Sequence, residues 1–412
     1  MNVRATRFPL FDSLRAIAAL SVLATHAAFF AGVETNHPTR LSAYAARLEI
    51  GVAVFFVISG FLLYRPFVRA RARGEPQPAA GPYAWRRFLR IVPAYWVALT
   101  LITIWVGTSG VFTATGIPRF YGFAQAYSES TIGGGITPAW SLTIEVAFYV
   151  FLPIWAGLMV LLFGRDSRGS VRAETGGLIL LFCIAIAWKL VVLGNGDAHH
   201  VEITPALIAL PAYLDQFVLG MGLAVLSIWL EGRDRAPGVV RAIDRFPSLA
   251  WGVALLAFWT VSQQIGLHGT FFEAFSARQY MERHLLYALF AVALIAPAVV
   301  GDQTRGYVRR LLAMRPLLWL GLVSYGIFLW NLTIADRLFH WGLGDVAVLG
   351  SNYLGWIATT TVVTAAVAAV SYYVVERPAL SLKRLFGEPE RPLRGEALEE
   401  PAPAKALARP AD

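Results

Sequence analysis

The chain has 412 residues, of which 57% are hydrophobic and only 15% charged, and its mean hydropathy is +0.57. A soluble domain carries about 25% charged residues, so an ordinary soluble fold is excluded and an all-α, polytopic membrane protein is indicated. The net charge of +9 would suit a nucleic-acid partner, but it must first be weighed against topology, and the single cysteine, Cys183, excludes intramolecular disulfides and cysteine metal clusters.

The first apolar run, Phe11 to about Val33, is long enough to cross a bilayer as a helix, yet it carries Asp12, Arg15 and His26. Eleven residues separate Arg15 from His26, about three helical turns, so the two point the same way about 16 Å apart along the axis, with Asp12 near the same stripe. A polar stripe in a lipid-crossing helix faces a bundle interior or a wet cavity and marks a functional site by default. Asp12 and Arg15 also argue against a cleaved signal peptide. With that first span at 11–32, further apolar segments at 48–67, 88–109, 140–163, 176–194, 206–230, 248–267, 284–301, 317–339 and 352–375 give about ten transmembrane helices. With the N-terminus inside, 28 Lys and Arg fall on inner segments, six fall outside and Lys189 lies within a span, so both termini are expected in the cytoplasm of a multi-pass plasma-membrane protein. The positive charge is then topogenic and a nucleic-acid role loses its support. From Gly387 the chain becomes charged and Pro-rich. The expected organisation is a membrane domain over 1–386 and a disordered cytoplasmic tail over 387–412, with no soluble catalytic domain.

At about 1.5 Å of rise per residue, His26 and Glu145 both fall roughly 7–8 Å below the outer surface. Asn331 falls in the outer third, Asp215 nearer the midplane, and Arg65, Arg86, Arg87 and Arg90 cluster at the inner face. A carboxylate and an imidazole at one depth suit general acid–base chemistry, which makes His26 and Glu145 a candidate dyad. An arginine cluster suits a phosphorylated ligand, because guanidinium binds phosphate bidentately and stays charged. Plainer readings stand beside these. A lone intramembrane His or Glu can be a structural hydrogen-bonding residue, Arg69, Arg71 and Arg73 read as topogenic, and Lys189 is open between a buried pair and a snorkelling side chain. Gly51, Gly60, Gly220 and Gly222 read as close-packing positions and Cys183 as inert packing.

Six motifs then carry a resemblance. They are Phe11-Asp-Ser-Leu-Arg-Ala-Ile-Ala-Ala-Leu with His26; Gly51-Val-Ala-Val-Phe-Phe-Val-Ile-Ser-Gly-Phe; Arg86-Arg-Phe-Leu-Arg-Ile-Val-Pro; Pro138-Ala-Trp-Ser-Leu-Thr-Ile-Glu-Val-Ala-Phe-Tyr; Leu320-Gly-Leu-Val-Ser-Tyr-Gly-Ile-Phe-Leu-Trp-Asn; and Tyr372-Tyr-Val-Val-Glu-Arg-Pro. Each is a loose pattern, but six in order over residues 8–385 are specific. The chain resembles acyltransferase family 3 of integral membrane proteins, which includes O-antigen acetyltransferases and macrolide acyltransferases. The resemblance implies that Arg15 and His26 are required, that Phe55, Phe56, Ser59 and Gly60 form the second-span motif, and that Arg87 and Arg90 form an Arg-x-x-Arg pair. It implies transfer of an acyl group, commonly acetyl from acetyl-CoA as co-substrate, to a hydroxyl of a sugar, envelope glycan or glycolipid, with no bound cofactor or metal. The expected catalytic set is His26, Glu145, Arg15 and Asp12. The donor set is Ser59, Arg65, Arg86, Arg87 and Arg90, and the acceptor or pocket set is Phe55, Phe56, Trp140, Ser141, Tyr325, Asn331 and Asp215. Asp12-Ser13 stands where the family commonly has Asp-Gly, and the esterase-like domain appended in some relatives is not expected here. Direct transfer and a covalent acyl-histidine stay open. So do a small secondary metabolite as acceptor, a transporter or channel, and a catalytically silent sensor.

Overall fold

The computed structural model describes residues 8, 10–33, 40–164, 167–231, 233, 236–267, 269–270, 274–343 and 353–385, with backbone alone at 167–170 and 384. The expected tail, 387–412, lies outside the described residues. Among those residues every regular element is helical. The chain runs through α1 (Leu10–Phe30), α2 (Arg40–Arg47), α3 (Gly51–Ala72), α4 (Ala80–Val106), α5 (Gly116–Tyr121), α6 (Trp140–Phe163), α7 (Ser167–Gly194) and α8 (Leu210–Leu230). It continues through α9 (Gly238–Arg245), α10 (Pro247–Gln263), α11 (Ala277–Val299), α12 (Tyr307–Leu312), α13 (Arg315–Leu322), α14 (Ser324–His340) and α15 (Tyr353–Ser371). A π-helical turn, Tyr372–Glu376, leads into α16 (Arg377–Ser381).

Eight of these helices are long and apolar enough to cross a membrane, and α13 with α14, bent by 74° at their junction, make a ninth when the pair is counted as one span. The remaining expected span is α10, an apolar helix of 17 residues. The protein is a multi-pass membrane protein built as an all-α bundle. Its outer surface is apolar, with Leu161, Val191, Leu255 and Val362 exposed, as a lipid-facing surface requires. Cys183 is also exposed there, on the outside of α7, and is not the inert packing residue that the sequence suggests.

Inside a bilayer, helices approach through small residues, because lipid tails are as apolar as leucine and burial alone gives little preference. α1 buries Ala16, Ala18, Ala19, Ala24, Ala27 and Ala28, and so forms a smooth central post. α3 and α8 cross at two glycines. A Cβ on Gly60 would lie 2.1 Å from the Phe217 carbonyl oxygen, and one on Gly220 would lie 2.1 Å from that of Val57. Gly222 faces open space and takes no part in this crossing. The break between α13 and α14 has an equally local cause. α13 presses its backbone onto α1 at Gly321, where a Cβ would fall 1.9 Å from the Asp12 carbonyl oxygen, and the Ser324 hydroxyl donates to the Gly321 carbonyl at 2.8 Å across the turn. The bend lets α13 cover the Asp12 end of α1 while α14 runs beside the rest of it.

Two groups of buried charged residues pair within the bundle. Arg71 meets Glu174 at 2.7 Å, and Tyr64 donates to the same carboxylate. Lys189 resolves as a buried pair. Its ammonium lies 2.9 Å from Asp215, which also faces His284 at 3.0 Å.

Candidate active site

Five helices, α1, α3, α4, α6 and α14, enclose two chambers stacked along α1. The three turns between Arg15 and His26 decide the layout, since they put the guanidinium in one chamber and the imidazole in the other. The arginine chamber has a volume of about 220 Å³ and is lined by Arg15, Arg87, Arg90, Glu145, Ser59 and Tyr149 among others. The histidine chamber, about 530 Å³, is lined by His26, Glu49, Asp336, Trp140, Phe29 and Phe30, with Thr25, Thr108, Thr137 and Thr333 between them.

In the histidine chamber the imidazole is held by an amide. The Asn331 Nδ2 donates to the carbonyl oxygens of Ile327 at 2.9 Å and Phe328 at 2.8 Å, and this turns its Oδ1 toward His26 Nδ1, 2.5 Å away. An oxygen facing Nδ1 can only accept, so Nδ1 carries the proton and the ring's lone pair is on Nε2. Glu49 accepts from Arg283 at 3.0 Å and from the Tyr287 hydroxyl at 3.1 Å. Asp336 lies 2.9 Å from Arg337 and 3.3 Å from His340.

The arginine chamber has a different balance. Arg15 pairs with Asp12 at 3.1 Å, and Arg90 lies 3.5 Å from the buried Glu376. Arg87 has no ion-pair partner among the described residues; its buried Nε lacks a hydrogen-bond partner, and its guanidinium sits 5.9 Å from the centre of the Tyr149 ring. Glu145 Oε1 accepts from both the Ser59 and the Tyr149 hydroxyls at 2.7 Å.

This arrangement corrects the expected His26–Glu145 dyad. Glu145 belongs to the arginine chamber with Ser59 and Tyr149, and the partner given to His26 Nδ1 is Asn331. The depth count assumes that α6 begins at the membrane surface. The segment before α6 lines the histidine chamber with Gly133, Gly135, Thr137 and Pro138, as does Trp140, and Glu145, more than a turn further along α6, lines the arginine chamber. Phe55, Phe56, Ser141 and Tyr325 line the arginine chamber, and Trp140 lines the histidine chamber. Arg65 is turned away, its Nε donating to Ser227 at 3.1 Å and its guanidinium engaging Glu231. Arg86 is half-buried and outside the lining. Asp215 lines neither chamber; it is fully buried behind His284, which faces a separate 60 Å³ cavity sharing Glu49, Val52 and Trp140 with the histidine chamber.

Sequence reading passed over Glu49, Tyr149 and Asp336. Tyr149 follows Glu145 by four residues, the spacing at which helical neighbours touch, and that signal was available. Glu49 lies two residues before the Gly51 motif. Among the described residues no group of three His, Cys, Asp or Glu side chains is set to hold a metal ion.

A family model described as an acyltransferase domain matches residues 9–376. Among curated relatives, the peptidoglycan O-acetyltransferase OatA of Listeria monocytogenes is 24% identical over 353 residues, covering 80% of this chain and 50% of that protein. Acyltransferase MdmB of Streptomyces mycarofaciens is 25% identical over 407 residues, covering 93% of this chain and 94% of that protein. The exopolysaccharide production protein ExoZ of Rhizobium meliloti is 29% identical over 364 residues, covering 85% and 94%. The chain spans about half the length of the peptidoglycan relatives it matches, 54% and 50% for two of them. No solved structure matches it. With nearly its whole membrane region matched, the chain belongs to the acyltransferase family that its six motifs resemble.

Proposed function

We propose that the chain is a membrane O-acyltransferase that takes an acyl group, commonly acetyl, from acyl-CoA on the cytoplasmic side and transfers it to a hydroxyl of an envelope sugar or glycan held in the histidine chamber. The observation that carries this reading is the division of one polar axis into two chambers, a guanidinium with no ion-pair partner among the described residues in one and an oriented imidazole in the other. Arg87 and Arg90, with Arg15 deeper in, bind the anionic end of the donor, as guanidinium groups bind phosphates. Glu145 holds the Ser59 and Tyr149 hydroxyls along the donor's path. Trp140, Phe29 and Phe30 offer stacking faces for sugar rings, and Glu49 and Asp336 offer acceptors for their hydroxyls.

In the reaction His26 Nε2 takes the proton of the acceptor hydroxyl. The oxygen attacks the thioester carbonyl carbon, the carbon–sulfur bond breaks, and the proton passes from His26 to the leaving thiolate, which departs as free CoA. General-base help of this kind contributes about 10²–10⁴-fold. Asn331 is a positioning residue, keeping the lone pair on Nε2.

The test is transfer of labelled acetyl from acetyl-CoA by the purified chain in nanodiscs, together with mass spectrometry of envelope glycans from a deletion strain. Label in a glycan, and an acetyl increment lost on deletion, are the expected results. A chain that neither binds acetyl-CoA nor changes any acyl increment overturns the reading. A second reading, a small secondary metabolite as acceptor, is recognised by label in the medium rather than in the glycan.

A further inference from the structure

Val52 and Phe328 are the two residues, among those described, that line both chambers. The Phe328 ring lies 6.3 Å from that of Phe55 at 71°, an edge-to-face contact, and Phe328 is 7% exposed. Its main chain is tied to the histidine site, since its carbonyl accepts from Asn331 Nδ2 at 2.8 Å, while its side chain stands between the chambers. We infer that Phe328 and Val52 form an apolar septum that the acyl group of the donor must cross, and that this septum both limits the size of the acyl group and keeps water of the acceptor chamber off the thioester. The inference rests on the donor and acceptor sides proposed above.

The physical argument follows from where the groups lie. The arginines that would hold the donor and the imidazole that would activate the acceptor face different cavities, and among the described residues Phe328 and Val52 are where the two cavities meet, so the thioester carbonyl reaches His26 by entering between them. A side-chain rotation about the Phe328 Cα–Cβ bond opens that passage without moving the backbone that fixes Asn331. A small acyl group needs a small displacement. A longer or branched one has to hold the ring aside and also intrudes on the space left for the acceptor. A closed apolar wall meanwhile denies the thioester to water until an acceptor is seated, and excluding water is how a transferase avoids becoming a hydrolase.

The experiment needs no knowledge of the acceptor. The full chain in nanodiscs is given acetyl-CoA, butyryl-CoA or octanoyl-CoA alone, and release of free thiol is followed. The wild-type chain is expected to release thiol slowly and to favour acetyl. Phe328→Ala is expected to raise acceptor-independent hydrolysis of acetyl-CoA about tenfold. It should also raise the butyryl-to-acetyl ratio about tenfold, the scale on which a pocket rejects added methylenes. Phe328→Leu, which keeps an apolar side chain of similar reach, returns both readouts toward wild type, and Val52→Ala moves both in the same direction by less. Unchanged hydrolysis and unchanged chain-length preference in Phe328→Ala protein that is monodisperse and binds acetyl-CoA overturn the septum. Should that variant fail to fold, Val52→Ala decides by the same two readouts. If the wild-type chain binds no acetyl-CoA, the proposed donor reading fails and the septum falls with it, which distinguishes that outcome from a septum refuted in a chain that binds the donor.

Discussion

The two chambers share five helices and differ in how their charges are balanced. In the histidine chamber each carboxylate has a cation of its own, Glu49 with Arg283 and Asp336 with Arg337, and the imidazole rests on a neutral amide. In the arginine chamber three guanidinium groups converge, and among the described residues the buried Nε of Arg87 has no hydrogen-bond partner. Leaving a buried donor unsatisfied costs about 1–3 kcal/mol, more when it is charged. Such a group is one that an incoming anion would satisfy, whereas a wall whose charges are already paired suits an uncharged, hydroxyl-rich ligand. The contrast supports the proposed placing of an anionic donor at one end of α1 and a neutral acceptor at the other.

The contrast breaks most visibly at His26. Replacing it with Ala is expected to lower acyl transfer by about 10²–10⁴-fold while leaving protein abundance and acetyl-CoA affinity as they were; normal product from this variant would remove the imidazole from the chemistry. Next in size is the double variant Arg87→Ala/Arg90→Ala. Charge-assisted hydrogen bonds are worth about 1.5–3 kcal/mol each, so losing both sets should weaken acetyl-CoA binding by about 100-fold or more in calorimetric titration. The wild-type affinity should also fall as salt rises, and that dependence should shrink in the double variant. Equal affinities would leave the arginine chamber without its ligand.

How far these features were legible in sequence depended on whether a residue's role is set along one helix or between helices. The spans could be read because lipid imposes length and hydropathy on each helix separately, and the 17-residue α10 and the bent α13–α14 pair were still found as apolar runs. The placing of Arg15 and His26 on one face also follows from helical geometry alone. What could not be read is what depends on a neighbour. Glu145 and His26 share one depth only when each helix is counted by itself from the surface, whereas the packing of α6 against its neighbours puts Trp140 in the histidine chamber and Glu145 in the other. Asp215 looked like a pocket residue until Lys189 and His284, from α7 and α11, closed around it. Asn331 was singled out by its depth, but its bond to His26 depends on the bend after Gly321, which no hydropathy pattern records.

Smaller effects sharpen the same comparison. Asn331→Leu removes the acceptor that fixes the imidazole tautomer, and loss of such outer-shell partners typically costs about 10–100-fold in activity. The expected signature is a fall in kcat with acetyl-CoA affinity unchanged, and a Gln at this position, longer by one methylene, should restore only part of the rate. A parallel loss of donor affinity would mean that the two chambers are not separable. The smallest effect on function is expected at Arg65, the arginine that sequence had grouped with the donor site. Its guanidinium engages Glu231, its Nε donates to Ser227, and it lies 5.0 Å from the centre of the Phe8 ring, so it ties the end of α3 to α8. Arg65→Ala should therefore leave acetyl-CoA affinity within about twofold, less than about 0.5 kcal/mol. The melting temperature should fall by a few degrees, held there because Arg73 remains 3.4 Å from the same Glu231 carboxylate. A tenfold loss of affinity without loss of stability would return Arg65 to the donor site and extend the arginine chamber toward the end of α3.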